Sequence, residues 1–133
     1  MEILAPAGSF SALKAAVING ADAVYLGASA FSARAKAANF SEEELASAVR
    51  YCHLFNVKVY LAVNTVIKLS EYKEALSTIK YADSVGVDAF ILQDLPFIAY
   101  LHSTMPDITI HLSTQAGAVS YTHLRAHETL RHL

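Results

Sequence analysis

The chain is poor in the residues that build covalent, charged or membrane-embedded sites. Its 133 residues include one cysteine, no tryptophan and only 17% charged residues, with a formal net charge of −2. The single Cys52 excludes an internal disulfide and any zinc or cluster site made from several thiolates of this chain. The near-neutral charge argues against nucleic-acid binding driven by bulk electrostatics. No apolar run approaches the roughly 20 residues of a membrane-spanning helix.

Apolar residues are abundant instead, at 54% of the chain, which indicates a packed globular domain and excludes disorder for most of its length. The first six residues carry no basic segment ahead of an apolar one, so no secretory signal is visible. With one cysteine, this pattern predicts a protein of a reducing compartment, the cytoplasm, with no membrane partner.

Short apolar runs alternate with segments of helical periodicity five times along the chain. The predicted strands are Ile3–Ala5, Ala23–Leu26, Lys58–Val63, Ala89–Leu92 and Ile108–Leu112. Residues typical of helix starts are Ser9, the capping box Ser41–Glu44, Ser70 and Pro96, and residues typical of helix ends are Gly20, Gly86 and Pro106. Hydrophobic strands that alternate with helices predict a parallel sheet covered by helices.

Part of this pattern occurs twice. The segment 20–26 resembles the segment 86–92: in both, a glycine ends a helix, an aspartate follows in the turn, and an apolar run enters the sheet. Repeated units of this kind leave two arrangements open, a doubly wound open sheet or part of a (β/α)8 barrel.

Alternation within the strands favours the barrel. Tyr60, Ala62 and Asn64 share one face of their strand, while the opposite face is purely apolar; His111 and Ser113 alternate with aliphatic residues in the same way. A complete barrel needs about 250 residues. We therefore predict an α/β fold of parallel (β/α) units, the N-terminal five-strand portion of a TIM-type barrel, over residues 1–119.

Such a portion leaves two sheet edges without their usual neighbours, which predicts self-association through open edges. Two other arrangements remain possible on the sequence: a self-contained doubly wound binding module, or a small barrel formed by two paired halves. The absence of an acidic pair at the end of the first strand, where Ala5-Pro6-Ala7 stands, argues against a receiver-type module.

The composition changes abruptly at Ser120. The segment 120–133 contains three of the six histidines, and His127-Glu128 begins a pattern close to a zinc-protease motif, but the second histidine, His132, comes five residues after the first instead of four. The segment resembles a translated adapter sequence. We expect it to be a non-native tail, and we predict no metal site in the chain.

Barrel enzymes place their chemistry at the carboxyl ends of the strands. Of the two catalytic candidates, Asp94 lies where the fourth predicted strand ends, and His111 lies inside the fifth. Asp94 is a candidate general base or ligand, and its structural alternative is a helix cap. His111 is a candidate catalytic group, and its alternative is a core histidine. Cys52 lies on the apolar stripe of its helix, which predicts an inert thiol.

Further polar residues at the same ends predict substrate contacts. Amide and hydroxyl groups orient a substrate without moving protons, and an arginine in the long segment after the second strand meets an anionic group. The predicted substrate-binding residues are Arg34, Asn64, Gln93, Ser113 and Gln115. Ser113 lacks the Gly-x-Ser-x-Gly context of a hydrolase nucleophile, so we do not expect a serine triad.

Several blocks of the sequence together resemble one known family. The segments 2–10 and 20–27, followed in order by 31–35, 38–40, 63–65, 93–94 and 111–115, are similar to the collagenase-like peptidases, peptidase family U32. The resemblance covers residues 1–117, and no single block carries it.

The resemblance implies a (β/α)8-type domain of a longer cytoplasmic protein that acts on peptide or RNA. One expectation is a peptidase, a hydrolase of peptide bonds, whose N-terminal fragment is inactive alone. The alternative is an iron–sulfur enzyme of tRNA or rRNA hydroxylation in the same family. The cysteines that hold such a cluster are not in this chain, so the expected cofactor belongs to the full-length parent and none is expected here.

Overall fold

A computed structural model describes residues 2–27, 42–63 and 66–113, together with the backbone of 124–125. The elements, in chain order, are β1 (Leu4–Pro6), α1 (Phe10–Ile18), β2 (Ala23–Gly27), α2 (Glu42–Leu54), β3 (Lys58–Val63), a 3-10 turn (Leu69–Glu71), α3 (Tyr72–Ser84), β4 (Ala89–Leu92), α4 (Leu95–Thr104), β5 (Thr109–Leu112) and β6 (Leu124–Arg125). The five predicted strands are confirmed, with β1 and β5 beginning one residue later than predicted.

The strands lie side by side in the order in which they follow one another along the chain. β1 to β5 are parallel neighbours, in the order β1-β2-β3-β4-β5. A doubly wound sheet reverses its strand order at a switch point, and the described sheet contains no reversal. The fold is therefore α/β with a five-stranded parallel sheet that alternates with helices, and it does not have the strand order of the doubly wound alternative.

The two faces of the sheet are packed differently. The side chains on one face form the main core with the helices, and we call it the helix face. Its buried strand residues are Val24, Leu26, Val59, Leu61, Phe90, Leu92 and Ile110. On the opposite face, called here the inner face, Ala23, Tyr60 and Ala89 form a small separate cluster with Tyr25 and Ile91. The sheet is therefore buried on both faces, by the main core on the helix face and by this smaller cluster on the inner face.

The repeated glycine–aspartate segments adopt the same geometry. The amide of Asp22 donates to the Ile3 carbonyl at 2.8 Å, and the Ile3 amide donates to Asp22 Oδ2 at 2.7 Å. The amide of Asp88 donates to the Val59 carbonyl at 2.8 Å, and the Val59 amide donates to Asp88 Oδ2 at 2.8 Å. Each aspartate thus joins the strand that it begins to the preceding strand. His53 Nε2 also lies 2.8 Å from Asp88 Oδ2, which ties α2 to this turn.

Two glycines predicted to end helices take the left-handed conformation, with φ +88° at Gly20 and +103° at Gly86. We expect alanine to destabilise both positions by about 1 kcal/mol, because a Cβ is strained at positive φ. Gly86→Ala is expected to cost more, since its Cβ meets Val49 Cγ1 at 3.2 Å, whereas the Cβ at position 20 meets nothing within 4 Å. Urea denaturation of both variants measures the difference in the free energy of unfolding. Equal losses would contradict the steric effect of the Cβ at position 86 on Val49.

The starts of α1 and α4 agree with the sequence, and that of α3 differs. The Ser9 hydroxyl accepts the Ala12 amide at 3.2 Å, which confirms it as the cap of α1. Ser70 is not the cap of α3. The segment begins as a 3-10 turn, in which the Lys68 amide donates to Glu71 Oε1 at 3.0 Å and the Glu71 amide donates to the Lys68 carbonyl at 2.8 Å. The Glu71 carboxylate thus closes the 3-10 turn on the Lys68 amide, and α3 itself begins without a side-chain cap. Ser41 lies outside the described residues.

The two edges of the sheet differ. β6 pairs antiparallel with β5 through two residue pairs, Thr109 with Arg125 and Ile110 with Leu124. β1 is the last strand on the other side, and no described residue pairs with its outer edge. β6 lies within the segment expected to be a non-native tail, and the division at residue 119 remains a prediction. None of the helices in the described ranges is long and apolar enough to cross a membrane.

Candidate functional site

The inner face carries the candidate site at the carboxyl ends of β3 to β5. Ala62, Ile91 and His111 are register partners in consecutive strands and therefore share this face. Gln93 and Ser113 follow Ile91 and His111 by two residues and continue toward the carboxyl edge, because side chains on one face of a strand recur with a period of two. The row has a small residue, an aliphatic residue and an imidazole side by side.

Tyr60 connects this row to the N-terminal segment. Its ring lies edge-on to the His111 ring, with 4.8 Å between the ring centroids and 64° between the planes. Its hydroxyl donates to Glu2 Oε2 at 3.0 Å. Tyr60 is 3% exposed, whereas the His111 side chain is only partly buried. The buried tyrosine therefore touches a partly accessible imidazole on one side and a carboxylate on the other.

The pKa of the Tyr60 phenol lies well above its usual value of 10.0. Burial is the largest cause, and the hydrogen bond to the Glu2 carboxylate and the negative charges of Glu2 and Asp88 add to it. Tyr60 is therefore neutral throughout the physiological range. Its hydroxyl keeps its hydrogen and donates it in the hydrogen bond to the Glu2 carboxylate.

Asp94, predicted as a general base or a cap, uses both of its carboxylate oxygens on backbone amides. Oδ1 accepts the Phe97 amide at 3.2 Å and caps α4, and Oδ2 accepts the Ile67 amide at 2.7 Å. The structure thus shows the capping role, together with a tie to the segment after β3 that the sequence did not indicate. A catalytic role for Asp94 stays a prediction.

The remaining predicted residues divide between described and undescribed parts of the chain. Gln93 and Ser113 lie at the carboxyl ends of β4 and β5, with the Ser113 amide donating to the Leu92 carbonyl at 2.7 Å. The other three predicted substrate contacts, Arg34, Asn64 and Gln115, lie outside the described residues, and their roles remain predictions.

Sequence reasoning missed Tyr60 and Glu2 as parts of the site. A signal for Tyr60 was present, because the alternation in its strand placed it on the same face as the polar residues. Glu2 carried no such signal, since only the tertiary structure brings the segment before β1 across to a side chain of β3.

The only thiol of the chain lies in the core, as predicted. Cys52 is fully buried on the strand-facing side of α2, and burial, with a smaller contribution from Asp88, raises its pKa to about 11. A buried, protonated thiol is a poor nucleophile.

We expect Cys52 to react with a thiol-specific reagent such as iodoacetamide at least about 100-fold more slowly in the native protein than in the chain unfolded by 6 M guanidinium, both at pH 8. The native thiol is protonated and the reagent cannot reach it. Equal labelling of native and unfolded chains would contradict this assignment.

The raised pKa of Cys52 stabilises the fold below pH 9. This contribution is lost as the pH rises through 9 toward 11, because the thiol of the unfolded chain ionises first. Cys52→Ala should flatten that part of the curve of unfolding free energy against pH.

The chain does not fit an iron–sulfur cluster by itself. Such clusters are held by several cysteine thiolates, and the one cysteine present is enclosed by the helix face. Within residues 2–27, 42–63 and 66–113, no three histidine, cysteine or acidic side chains are grouped as metal ligands. No step of a reaction is therefore assigned to a metal or cluster in this chain.

Three relatives show the range of names among similar proteins. The chain is 37% identical to "Uncharacterized protease MJ0090" of Methanocaldococcus jannaschii over 90% of its own length and 29% of the relative. It is 36% identical to "23S rRNA 5-hydroxycytidine C2501 synthase" of Escherichia coli over 86% of its length and 17% of the relative. It is 37% identical to "Collagenase" of Porphyromonas gingivalis over 93% of its length and 30% of the relative.

The chain thus spans less than a third of the length of each of these relatives. The model of one family matches nearly all of it, over residues 8–131. On that match and the shared identity, this chain belongs to peptidase family U32.

Proposed function

We propose that the chain is the first part of a (β/α)8-barrel domain in a longer cytoplasmic RNA-hydroxylation protein. In that protein the inner face of the sheet would form one wall of the substrate site. The observation that carries the proposal is the group on that face: a partly accessible imidazole, His111, held against the buried Tyr60, at the end of the sheet where barrel enzymes bind their substrates.

The composition of the wall supports a planar substrate. Proteins recognise single-stranded RNA by placing unstacked bases against rings and apolar surfaces and by hydrogen bonding to the base edges. Ile91 and His111, which are register partners and both partly accessible, offer these two kinds of contact. One of the relatives is named as a synthase of hydroxycytidine in 23S rRNA, which agrees with this substrate class.

The sequential strand order supports the barrel. Strands that follow one another in space and in sequence, with helices on one face, are the arrangement of a (β/α)8 barrel, and the relatives are long enough to supply the remaining strands. An iron–sulfur cluster for the oxidation would be held by cysteines in that additional length, because Cys52 is enclosed in the core here.

Peptide-bond hydrolysis is the second candidate, and the 37% identity to a collagenase favours it. The described residues give it less support. Cys52 is a buried thiol with a raised pKa, and both oxygens of the Asp94 carboxylate accept backbone amides. Activating a water or a nucleophile would then fall to His111 or to residues outside this chain.

A pair of chimeras separates the two candidates. In one, residues 2–113 replace the matching segment of the E. coli rRNA synthase; in the other, they replace the matching segment of the P. gingivalis collagenase. The first is tested by mass spectrometry for 5-hydroxycytidine at C2501 in cells that lack the native gene, and the second by cleavage of collagen. Both are checked for solubility and a cooperative melt.

We expect the synthase chimera to restore hydroxycytidine and the collagenase chimera, equally folded, to be inactive. The reverse result would replace the proposal by the peptidase function. Activity of both hosts would show that this segment is an interchangeable scaffold and would overturn its role as a substrate-selective wall.

We also propose that the 133-residue chain associates with itself through the outer edge of β1, which no described residue covers. Unpaired strand edges offer backbone donors and acceptors to a second chain. Sedimentation velocity is expected to show a mass that increases with concentration, and Leu4→Pro, which removes the outward-facing backbone donor of β1, is expected to weaken the association. A monomer at every concentration would contradict this proposal.

A further inference from the structure

We propose that Tyr60 is a positioning residue: anchored by Glu2, it holds the His111 imidazole in the orientation in which His111 hydrogen-bonds to a nucleobase. The inference rests on the proposed function, because it assigns the base-contacting group of the same wall. It adds two residues that do not contact the base: Tyr60, which orients His111, and Glu2, whose carboxylate anchors Tyr60 from the segment before β1.

The contacts cross the sheet in one line. Glu2 precedes β1, Tyr60 lies in the middle of β3, and His111 lies in β5, which is separated from β3 by β4. The residue of β4 in register with Tyr60 is Ala89, and the two belong to one packed cluster. An alanine at this point leaves room for the tyrosine ring beside it, so that the ring reaches the imidazole of β5.

Both ends of Tyr60 are fixed. Its hydroxyl donates to Glu2 Oε2 at 3.0 Å, and its ring meets the His111 ring edge-on at 4.8 Å. The hydroxyl is thus occupied, and the raised pKa of the phenol keeps its hydrogen in place, so Tyr60 is not the group that exchanges a proton with a ligand. Its effect on a ligand must pass through the orientation of the imidazole.

His111 is the group that meets the ligand. It is partly accessible on the inner face, and its register partner Ile91, also partly accessible, offers apolar contact but no side-chain hydrogen bond. An imidazole nitrogen can form one hydrogen bond with a polar group on the edge of a pyrimidine or purine. A planar ring laid on Ile91 would therefore present its edge to His111.

The test is binding of cytidine 5′-monophosphate to the full 133-residue chain, followed by NMR. The variants are Tyr60→Phe, which keeps the ring and removes the bond to Glu2; His111→Ala; and the double variant. Tyr51→Phe is the matched control, because it removes a hydroxyl from a tyrosine of α2 that packs against the main core, away from the inner face. The circular dichroism melt of each variant is recorded alongside.

We expect His111→Ala to raise the Kd at least about 10-fold, which is the size of one good hydrogen bond to a polar ligand. Tyr60→Phe should raise the Kd by about 3- to 5-fold, and Tyr51→Phe by less than about 2-fold. The double variant should bind no worse than His111→Ala alone, because Tyr60 acts only through the imidazole.

Glu2 gives a rescue experiment. Glu2→Gln keeps an oxygen that accepts from the Tyr60 hydroxyl and should bind within about 2-fold of the unmodified chain, whereas Glu2→Ala should match Tyr60→Phe. Additive losses in the double variant would overturn the positioning role while leaving base binding intact. Failure of the unmodified chain to bind the nucleotide, or preferential binding of a short collagen-like peptide, would overturn the contact to a base. The two chimeras test the proposed function independently.

Discussion

Replacing Phe90 by alanine is expected to lower the free energy of unfolding by about 4 kcal/mol, the largest loss predicted for a single side chain here. Phe90 is 1% exposed in β4, an interior strand, and its register partners are Leu61 on one side and Ile110 on the other. Removing the ring leaves a cavity between the sheet and its helices, which a rigid parallel sheet does not close. Urea denaturation followed by circular dichroism measures the loss.

The matched control is Phe55→Ala, which deletes the same atoms from a residue that is 57% exposed. Phe55 contacts the Tyr51 ring, with 5.1 Å between centroids, so we expect a loss of about 1 kcal/mol or less. Similar losses in the two variants would show that the helix face of the sheet does not form the main core.

Asp94→Ala is expected to lower the free energy of unfolding by about 2–3 kcal/mol, because one carboxylate satisfies two backbone amides. One bond caps α4 at Phe97, and the other holds Ile67, in the segment that leads from β3 to α3. Losing both frees a helix start and the segment beside the candidate site together.

Asp94→Asn separates the two bonds, since an amide side chain has one acceptor oxygen, and we expect about half of the alanine loss. Asp107→Ala is the control for removing an exposed carboxylate and should change the free energy by less than about 0.5 kcal/mol. A loss in Asp94→Ala no larger than in that control would contradict the two-bond assignment. Thermal melts and urea melts should agree on the order.

The strands were predictable because their residues carry the information locally. An apolar run such as Lys58–Val63, preceded by a turn and followed by a helix, has few other conformations that bury it. The two glycine–aspartate segments were equally predictable. A helix end in the left-handed conformation favours glycine, which has no Cβ, and Gly20 and Gly86 both lie at such ends. The start of the third helix was less predictable, because a 3-10 turn that Glu71 closes on the Lys68 amide precedes it, and α3 then begins without the serine cap that Ser70 indicated.

The candidate site was only partly predictable. The sequence placed Gln93 and Ser113 at strand ends and His111 inside the fifth strand, and the bounds and register of β4 and β5 agree with these placements. It gave no indication that Tyr60 would meet His111, because these residues lie 51 positions apart and in strands that are not neighbours.

By itself, the sequence determined the βα order, the apolar helix face, the burial of Cys52 and the family, since each depends on local periodicity or on blocks that can be recognised in order. The tertiary structure alone decided the strand order, the two bonds of Asp94 and the contact of Glu2 with Tyr60. Those features depend on which segments the folded chain brings together, and distance along the sequence carries no information about that proximity.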